Sequence, residues 1–207
     1  MPIAAQHLRA ARLHLQKSDP VMKQIIKVVG PCKVKLQTNR FQTLVASIIG
    51  QQISGSAART IYSRLIDSVG SKTIKPEILA EYTVDELREL GVSRQKAGYL
   101  LDLAVKVGGG EVKLSRFSRM ENEDVIEQLT TIKGIGRWTS QMFLMFSLGR
   151  LDVFPIDDLG IRNAIKLNYK LRKEPDKKKL NSIAAPWNPY ETIASWYLWQ
   201  SLEVRDS

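Results

Sequence analysis

Apolar residues recur every three to four positions along nearly the whole chain, which is the spacing of one face of an α-helix. The repeat is clearest in residues 41–49, where Phe41, Leu44 and Ile48 fall on one face, and it resumes in residues 58–65. No segment shows the strict alternation of apolar and polar residues that is typical of hairpin strands. The pattern therefore predicts an all-α fold.

Short-range signals place the ends of several helices. Thr83 and Glu86 have the spacing of a capping box, so a helix should begin there and run to about Leu90. A second helix should follow Ser93 and end at the three glycines of 108–110. Four of its residues are expected to face inward: Ala97, Leu100, Leu101 and Ala104.

Composition narrows the function. The chain has 207 residues, with 31 Lys and Arg against 21 Asp and Glu and a net charge of +10, which favours a polyanionic partner such as nucleic acid. No apolar run reaches the roughly 20 residues of a membrane span. The N-terminus resembles no signal peptide, so an intracellular protein without a membrane partner is expected: cytoplasm or nucleoid in a bacterium, nucleus in a eukaryote.

Metal and thiol chemistry have few residues to work with. Cys32 is the single cysteine, which excludes an internal disulfide, a zinc ribbon and a four-cysteine iron-sulfur cluster. His7 and His14 are the only histidines, so a transition metal held by side chains is not expected. The sequence thus predicts that no cofactor is required.

A glycine-rich turn lies between two helix-like segments at residues 129–139. Gly134 and Gly136 bracket Ile135, which can point into the core and fix a tight turn. Backbone NH groups after such a turn can bind a DNA phosphate. Taken alone, the motif fits a plain interhelical turn equally well.

Two adjacent carboxylates precede another helix. Asp157 and Asp158 follow the Val153–Ile156 segment, which contains Pro155, and come just before the helix-like residues 159–164. A carboxylate at a helix N-terminus is stabilised as the anion. Helix capping explains one aspartate and leaves the other available for chemistry.

Four segments together resemble the 3-methyladenine DNA glycosylase II family of the helix-hairpin-helix DNA glycosylase superfamily: 41–52, 91–104, 130–163 and 186–199. The resemblance implies two helical lobes with the active site in the cleft between them. It implies a central lobe, 38–150, with the helix-hairpin-helix motif at about 122–149. Residues 1–37 and 151–207 would form the terminal lobe.

The resemblance also implies a reaction. A glycosylase of this family flips an alkylated purine such as 3-methyladenine or 7-methylguanine out of double-stranded DNA and hydrolyses the N-glycosidic bond, leaving an abasic site. Asp158 occupies the catalytic position, and Asp157 is expected to be a helix cap or a hydrogen-bonding support. Relatives that also cut the strand have a lysine where this chain has Trp138, so no lyase activity is expected.

The base pocket of the family corresponds to Trp138, Trp196 and Met142, with Met142 standing where the family often has tyrosine. Indole rings suit a cationic lesion because of cation-π attraction. Trp187 and Trp199 are expected to be core residues.

The segment that would enter the duplex consists of Gln51, Gln52, Ile53 and Ser54, with Gln52 the first candidate for the wedge. The residues that would bind the DNA backbone are Lys133, Gly134, Gly136, Arg137 and Thr139.

Backbone carbonyls of Thr130, Ile132 and Ile135 are where the resemblance implies a Na⁺ or K⁺ ion. A monomer is the default for an enzyme that scans duplex DNA. Two alternatives stay open: the same fold acting on deaminated or oxidised bases, and a non-catalytic module that binds damaged DNA.

Overall fold

The structure, a computed structural model, describes residues 3–204, and all regular structure in that range is helical. The predicted all-α fold is confirmed. Among these residues, no helix combines the length and the apolar character that crossing a membrane demands. The α-helices are α1 (Ala5–Ser18), α2 (Pro20–Val29), α3 (Arg40–Gly50), α4 (Gly55–Val69), α5 (Pro76–Ala80), α6 (Val84–Glu89), α7 (Arg94–Gly108), α8 (Asn122–Thr130), α9 (Arg137–Phe143), α10 (Leu159–Asn168), α11 (Lys177–Ala184) and α12 (Glu191–Glu203).

Three shorter elements complete the chain. Two are 3₁₀ helices, Leu114–Arg119 and Ala185–Trp187. The third is a π-helical turn, Leu144–Leu148, which follows α9 without a break. Such a turn has one more residue per hydrogen-bonded ring than an α-helix, and the sequence pattern did not predict it.

The predicted ends of α6 and α7 are confirmed by their caps. The Thr83 hydroxyl accepts a hydrogen bond from the Glu86 amide at 3.2 Å, and the Glu86 carboxylate accepts one from the Thr83 amide at 2.7 Å. The bond from the Thr83 amide holds the pKa of Glu86 below its usual value. Ser93 caps α7. Three of the four residues predicted to face inward from α7 are buried, and Leu101 is half-buried.

The chain divides into two compact units, one formed by Met1–Leu36 with Leu144–Ser207 and the other by Gln37–Phe143. In the first unit, α12 packs against α2 and α10, and α1 packs against α2. Its core is apolar and includes two large aromatic side chains that are fully buried, Trp187 and Tyr197.

One buried carboxylate joins distant parts of the first unit. Asp19, 5% exposed, caps α2 by accepting hydrogen bonds from the amides of Val21 and Met22. Its other oxygen accepts from the Trp187 indole at 2.9 Å and from the Tyr169 hydroxyl. The charge of Asp19 is therefore well solvated by protein groups, which is what allows it to be buried.

The second unit is organised around α7, which packs against α3, α5 and α6. Helix α8 packs against α9, and α9 also contacts α3. Phe117 and Phe143 meet edge to face in its core, with ring centroids 6.0 Å apart. The segment between α8 and α9 is thereby fixed at both ends to well-packed helices.

Candidate functional site

The hairpin, defined here as residues 131–136, links α8 to α9 in the second unit. Ile132 and Ile135 are buried, so the turn is anchored in the core as predicted for Ile135. Gly134 has φ of +79°, and a Cβ atom placed there would lie 2.1 Å from the Tyr99 ring. Only glycine meets both conditions. At Gly136, by contrast, an added Cβ would have no atom within 4 Å.

Several contacts from neighbouring helices hold the hairpin. The Lys133 amide donates to the Asp102 carboxylate of α7 at 2.8 Å. The Lys106 ammonium, also on α7, donates to the Thr131 carbonyl. The Gln51 side chain donates to the Gly134 carbonyl at 2.8 Å. These contacts tie the hairpin to α7 and to the C-terminal end of α3.

Residues 50–54, the wedge segment, connect α3 to α4. Gln51 is half-buried because its side chain contacts the hairpin, whereas Gln52, Ile53 and Ser54 are exposed. Gln52 has φ of +56°, a conformation that costs free energy in a residue other than glycine. Ser54 caps α4 by accepting from the Ala57 amide at 3.2 Å. Gln52 and Ile53 are therefore the two exposed side chains of this segment that do not cap a helix.

The residues predicted to bind the DNA backbone differ in exposure. Lys133, Gly134, Gly136 and Arg137 are exposed, whereas Thr139 is only 7% exposed. Thr139 therefore offers little surface for a DNA contact, and its predicted contact stays a prediction. Arg137 forms a two-bond ion pair with Glu123 of α8, at 2.5 and 2.8 Å. The hydrogen bonds from Arg137 hold the pKa of Glu123 below its usual value.

Carbonyl oxygens at the hairpin have the chemistry of a monovalent-cation site. The Ile132 carbonyl accepts from the Ile135 amide at 3.1 Å, which leaves one of its lone pairs available. Neutral oxygens of this type suit Na⁺ or K⁺ by their chemistry, and the ion at the carbonyls of Thr130, Ile132 and Ile135 stays a prediction. Within residues 3–204, no three side chains of His, Cys, Asp or Glu cluster as metal ligands would.

Two of the predicted base-pocket residues lie on α9. Trp138 is 49% exposed and Met142 is half-buried, and their spacing of four residues places them one turn apart on the same side of the helix. A half-exposed indole is unusual for a core residue, since burying an aromatic ring is favourable. Trp138 thus has the exposure that a stacking contact requires.

The aspartate pair lies in the first unit, and the structure shows which of the two caps the next helix. Asp158, not Asp157, is the N-cap of α10, because its Oδ1 atom accepts from the Ile161 amide at 2.8 Å. Asp157 is exposed and pairs with the Lys177 ammonium at 2.8 Å. Asp157 was expected to be a helix cap or a hydrogen-bonding support, and the first of these is wrong because α10 begins one residue later than a cap at Asp157 requires.

Asp158 is fixed by a second donor that the sequence did not reveal. The Trp199 indole of α12 donates to the same Oδ1 atom at 3.0 Å. Trp199 was expected to be a core residue, and it is instead half-buried with its NH group on the carboxylate. Asp158 itself is 9% exposed, so these two bonds orient a largely buried acid.

Gly160 is a further residue that sequence reasoning missed. A Cβ atom at this position would lie 3.1 Å from Oδ1 of Asp158 and 3.2 Å from the Trp199 indole nitrogen. Glycine therefore leaves the space in which the indole reaches the carboxylate. The only signal in the sequence was its place two residues after Asp158, which does not by itself show what crowds it.

The two remaining tryptophans differ in burial. Trp187 is fully buried, as predicted. Trp196 is half-buried and meets the Tyr197 ring edge to face, with ring centroids 5.1 Å apart.

Burial raises the pKa of the Cys32 thiol to about 11, so this cysteine is protonated at neutral pH and is a poor nucleophile.

Comparison with known proteins gives a consistent family. Residues 45–189 match the HhH-GPD model, described as a superfamily of base excision DNA repair proteins. DNA-3-methyladenine glycosylase 1 of Schizosaccharomyces pombe is 34% identical over 204 residues, a match that covers 96% of this chain and 90% of that protein. The match extends over both units.

Solved structures agree with the sequence matches. A DNA-3-methyladenine glycosidase from Bacillus halodurans superposes with a TM-score of 0.83 at 39% identity, covering 91% of this chain and 87% of its own. An S. pombe 3-methyladenine DNA glycosylase in complex with abasic DNA gives a TM-score of 0.81 at 32% identity, covering 96% and 98%. The similarity therefore spans nearly the whole of each chain.

Proposed function

Because the chain belongs to the helix-hairpin-helix superfamily of base excision DNA repair proteins, we propose that it is a monofunctional DNA glycosylase for alkylated purines. Its substrates would be 3-methyladenine and 7-methylguanine in double-stranded DNA. The observation that carries this proposal is the fixed, 9% exposed carboxylate of Asp158 at the start of α10. The relatives from S. pombe and B. halodurans are both named for 3-methyladenine, which supports the choice of lesion.

Asp158 would act on the sugar. When the N-glycosidic bond breaks, its electron pair leaves with the base, and positive charge develops on the deoxyribose. A nearby carboxylate stabilises that charge, and a water molecule then adds to the anomeric carbon and loses a proton. The amide of Ile161 and the indole of Trp199 hold Oδ1, so the carboxylate is oriented before the substrate arrives.

A cationic lesion makes the chemistry easier. A methylated purine with a positive charge becomes a neutral leaving group when the bond breaks, so little acid catalysis is needed. Trp138 and Trp196 would favour that charge through cation-π attraction, and Met142 would soften the pocket where the family often has tyrosine. The half-exposed indole of Trp138 supports this assignment.

The absence of strand cleavage is proposed from the residue that follows the hairpin. A lyase needs an amine that can form a Schiff base with the sugar, and this chain has Trp138 at the position where such relatives have lysine. The product would then be an intact strand with an abasic site.

The hairpin and the wedge segment would bind the duplex. Exposed Gly134 and Gly136 permit close approach of a phosphate, and Lys133 adds positive charge. Na⁺ or K⁺ held by the carbonyls of Thr130, Ile132 and Ile135 would supply positive charge at the same place. Gln52 and Ile53 are the exposed candidates for filling the space left by the flipped nucleotide. The protein would work as a monomer wherever the cell keeps its DNA.

The test is release of free base from a duplex that contains 7-methylguanine, with strand breakage followed separately. Asp158→Asn should lower the single-turnover rate by about 10² to 10³-fold, because an amide cannot stabilise the sugar cation as a carboxylate does. Asparagine caps helices well, so the variant should keep the fold. Asp157→Asn is the matched control, because the exposed carboxylate of Asp157 pairs with the surface residue Lys177, and it should retain full activity.

Other outcomes would replace the proposal. Release of a deaminated or oxidised base, without release of 7-methylguanine or 3-methyladenine, would favour the same fold with a different substrate. Duplex binding without release of any base would favour a non-catalytic module. Strand cleavage by the wild type, trapped with borohydride as a covalent adduct, would show that another amine serves as a lyase nucleophile.

A further inference from the structure

One face of α7 contacts the hairpin through three side chains. Tyr99, Asp102 and Lys106 are spaced by three and four residues, which places them on the same side of the helix. The Tyr99 ring lies against Gly134, Asp102 accepts from the Lys133 amide, and Lys106 donates to the Thr131 carbonyl. The contacts of α7 therefore cover the hairpin from residue 131 to residue 134.

The hydrogen bond to Asp102 raises an electrostatic problem. Asp102 is 16% exposed, and its carboxylate fixes the amide of Lys133, directly beside Gly134. A negative charge so close to a phosphate-binding turn would repel DNA, because charges within about 10 Å of one another are only partly screened at ordinary salt. A carboxylate is a useful anchor here only if its charge is compensated.

Lys106 supplies the compensation. Its ammonium lies 3.5 Å from Oδ2 of Asp102, the same atom that accepts from the Lys133 amide, and the side chain is only 20% exposed. Aspartate four residues before lysine is also the favoured order of such a pair on a helix. The pair anchors the hairpin at two backbone groups and adds no net charge beneath it.

We infer that Lys106 is a positioning residue for DNA binding: it neutralises Asp102, so that the hairpin is held rigidly without placing negative charge against the bound phosphate. This inference rests on the proposed role of the hairpin in DNA binding. It does not depend on which base is excised, or on whether any base is.

Lys106→Met, alone and combined with Asp102→Asn, tests whether Lys106 acts by neutralising Asp102. Lys106→Met leaves Asp102 as an uncompensated, largely buried charge, so both hairpin stability and DNA affinity should fall. Adding Asp102→Asn removes that charge, and the asparagine oxygen can still accept from the Lys133 amide. The double variant should therefore bind DNA better than Lys106→Met alone, although it has lost one more native side chain.

The measurement is the dissociation constant for a duplex with a stable abasic-site analogue, by fluorescence anisotropy at one salt concentration and well below the melting temperature of each variant. Lys106→Met should weaken binding about tenfold, and Lys106→Met with Asp102→Asn should return to within about threefold of wild type. Lys27→Met, which removes one exposed lysine from α2, controls for the loss of a single positive charge and should change affinity by less than about twofold.

A purely structural role for the pair predicts the opposite order, with the double variant binding as weakly as Lys106→Met or more weakly. That order would overturn the inference, as would wild-type affinity in Lys106→Met. The base-release assay separates this result from the proposed function. A wild type that excises nothing but shows charge rescue in binding would refute the glycosylase proposal and leave the role of Lys106 standing.

Discussion

At the scale of single residues, the catalytic candidate and its support differ in how visible they are in the sequence. Asp157 and Asp158 stand in a local pattern of proline, paired acids and a helix start, and the family resemblance singled out Asp158 from the pair. Trp199, which bonds to it, is 41 residues away, and no local signal connects them. The cap of α10 was also assigned to the wrong acid, since a shift of one residue in the helix start decides whether Asp157 or Asp158 caps the helix.

Trp199→Phe tests the support of Asp158 directly. Phenylalanine keeps an aromatic ring near Phe146, whose centroid lies 6.0 Å away, but it removes the NH group that orients the carboxylate. A hydrogen bond to a charged group contributes roughly 1.5–3 kcal/mol, so kcat should fall about tenfold or more. Duplex affinity should not change, because Asp158 acts on the sugar during the reaction.

Trp187→Phe is the matched control for this prediction. Its indole also donates to a carboxylate, but that acid is Asp19, which caps α2. The control should lower the melting temperature and leave kcat within about twofold of wild type. If both variants lose stability and neither loses rate, Trp199 is a structural residue and not a positioning residue.

At the scale of elements, local capping signals predicted helix ends well. Thr83 and Ser93 cap the helices that follow them, because a hydroxyl oxygen satisfies amides within the next three residues and needs nothing distant. The π-helical turn at Leu144–Leu148 was not predicted. Its apolar sequence continues the helical pattern of α9, and only packing decides between the two hydrogen-bonding schemes.

The two hairpin glycines give an element-scale prediction with opposite outcomes. Gly134→Ala places a Cβ atom at φ of +79° and 2.1 Å from the Tyr99 ring. It should therefore reduce the free energy of unfolding by about 1–3 kcal/mol or more. Gly136→Ala meets no protein atom within 4 Å, so the fold should survive. Its methyl group instead stands where a DNA backbone would approach.

Melting temperature and duplex affinity, measured on both variants, separate these effects. Gly136→Ala should melt within a few degrees of wild type and bind DNA about tenfold more weakly, as loss of a close backbone contact would cause. Normal affinity in a folded Gly136→Ala would show that the phosphate does not approach at this glycine. Normal stability in Gly134→Ala would show that the Tyr99 ring can move aside.

At the scale of the whole molecule, the sequence predicted what depends on pattern and charge. The all-α fold followed from apolar periodicity, and nucleic acid as a partner followed from the net charge of +10. The contacts that hold the hairpin could not be predicted in the same way. Asp102 and Lys133 are 31 residues apart, and an acid and a lysine on a helix usually indicate only a solvated surface.

The positive charge of the protein can bind DNA as a diffuse field or through a localised contact at the hairpin, and the two cases predict different salt dependence. If the excess charge acts diffusely, removing any exposed lysine should have the same effect on the salt dependence of affinity. If the hairpin is the principal contact, the position of the lysine decides the effect. The logarithm of the association constant should fall linearly with the logarithm of salt concentration, with a slope of about −0.9 for each phosphate neutralised.

Lys133→Ala and Lys177→Ala distinguish the two cases, because each removes one positive charge. Lys133 is exposed on the hairpin, so its loss should reduce the magnitude of the salt slope by about 1. The Lys177 ammonium already pairs with Asp157 at 2.8 Å, so its loss should leave the slope unchanged. The salt slopes are measured by titrating an undamaged duplex. Equal changes of slope in both variants would mean that the overall positive field of the protein binds the DNA. The hairpin would then make no dominant phosphate contact through Lys133.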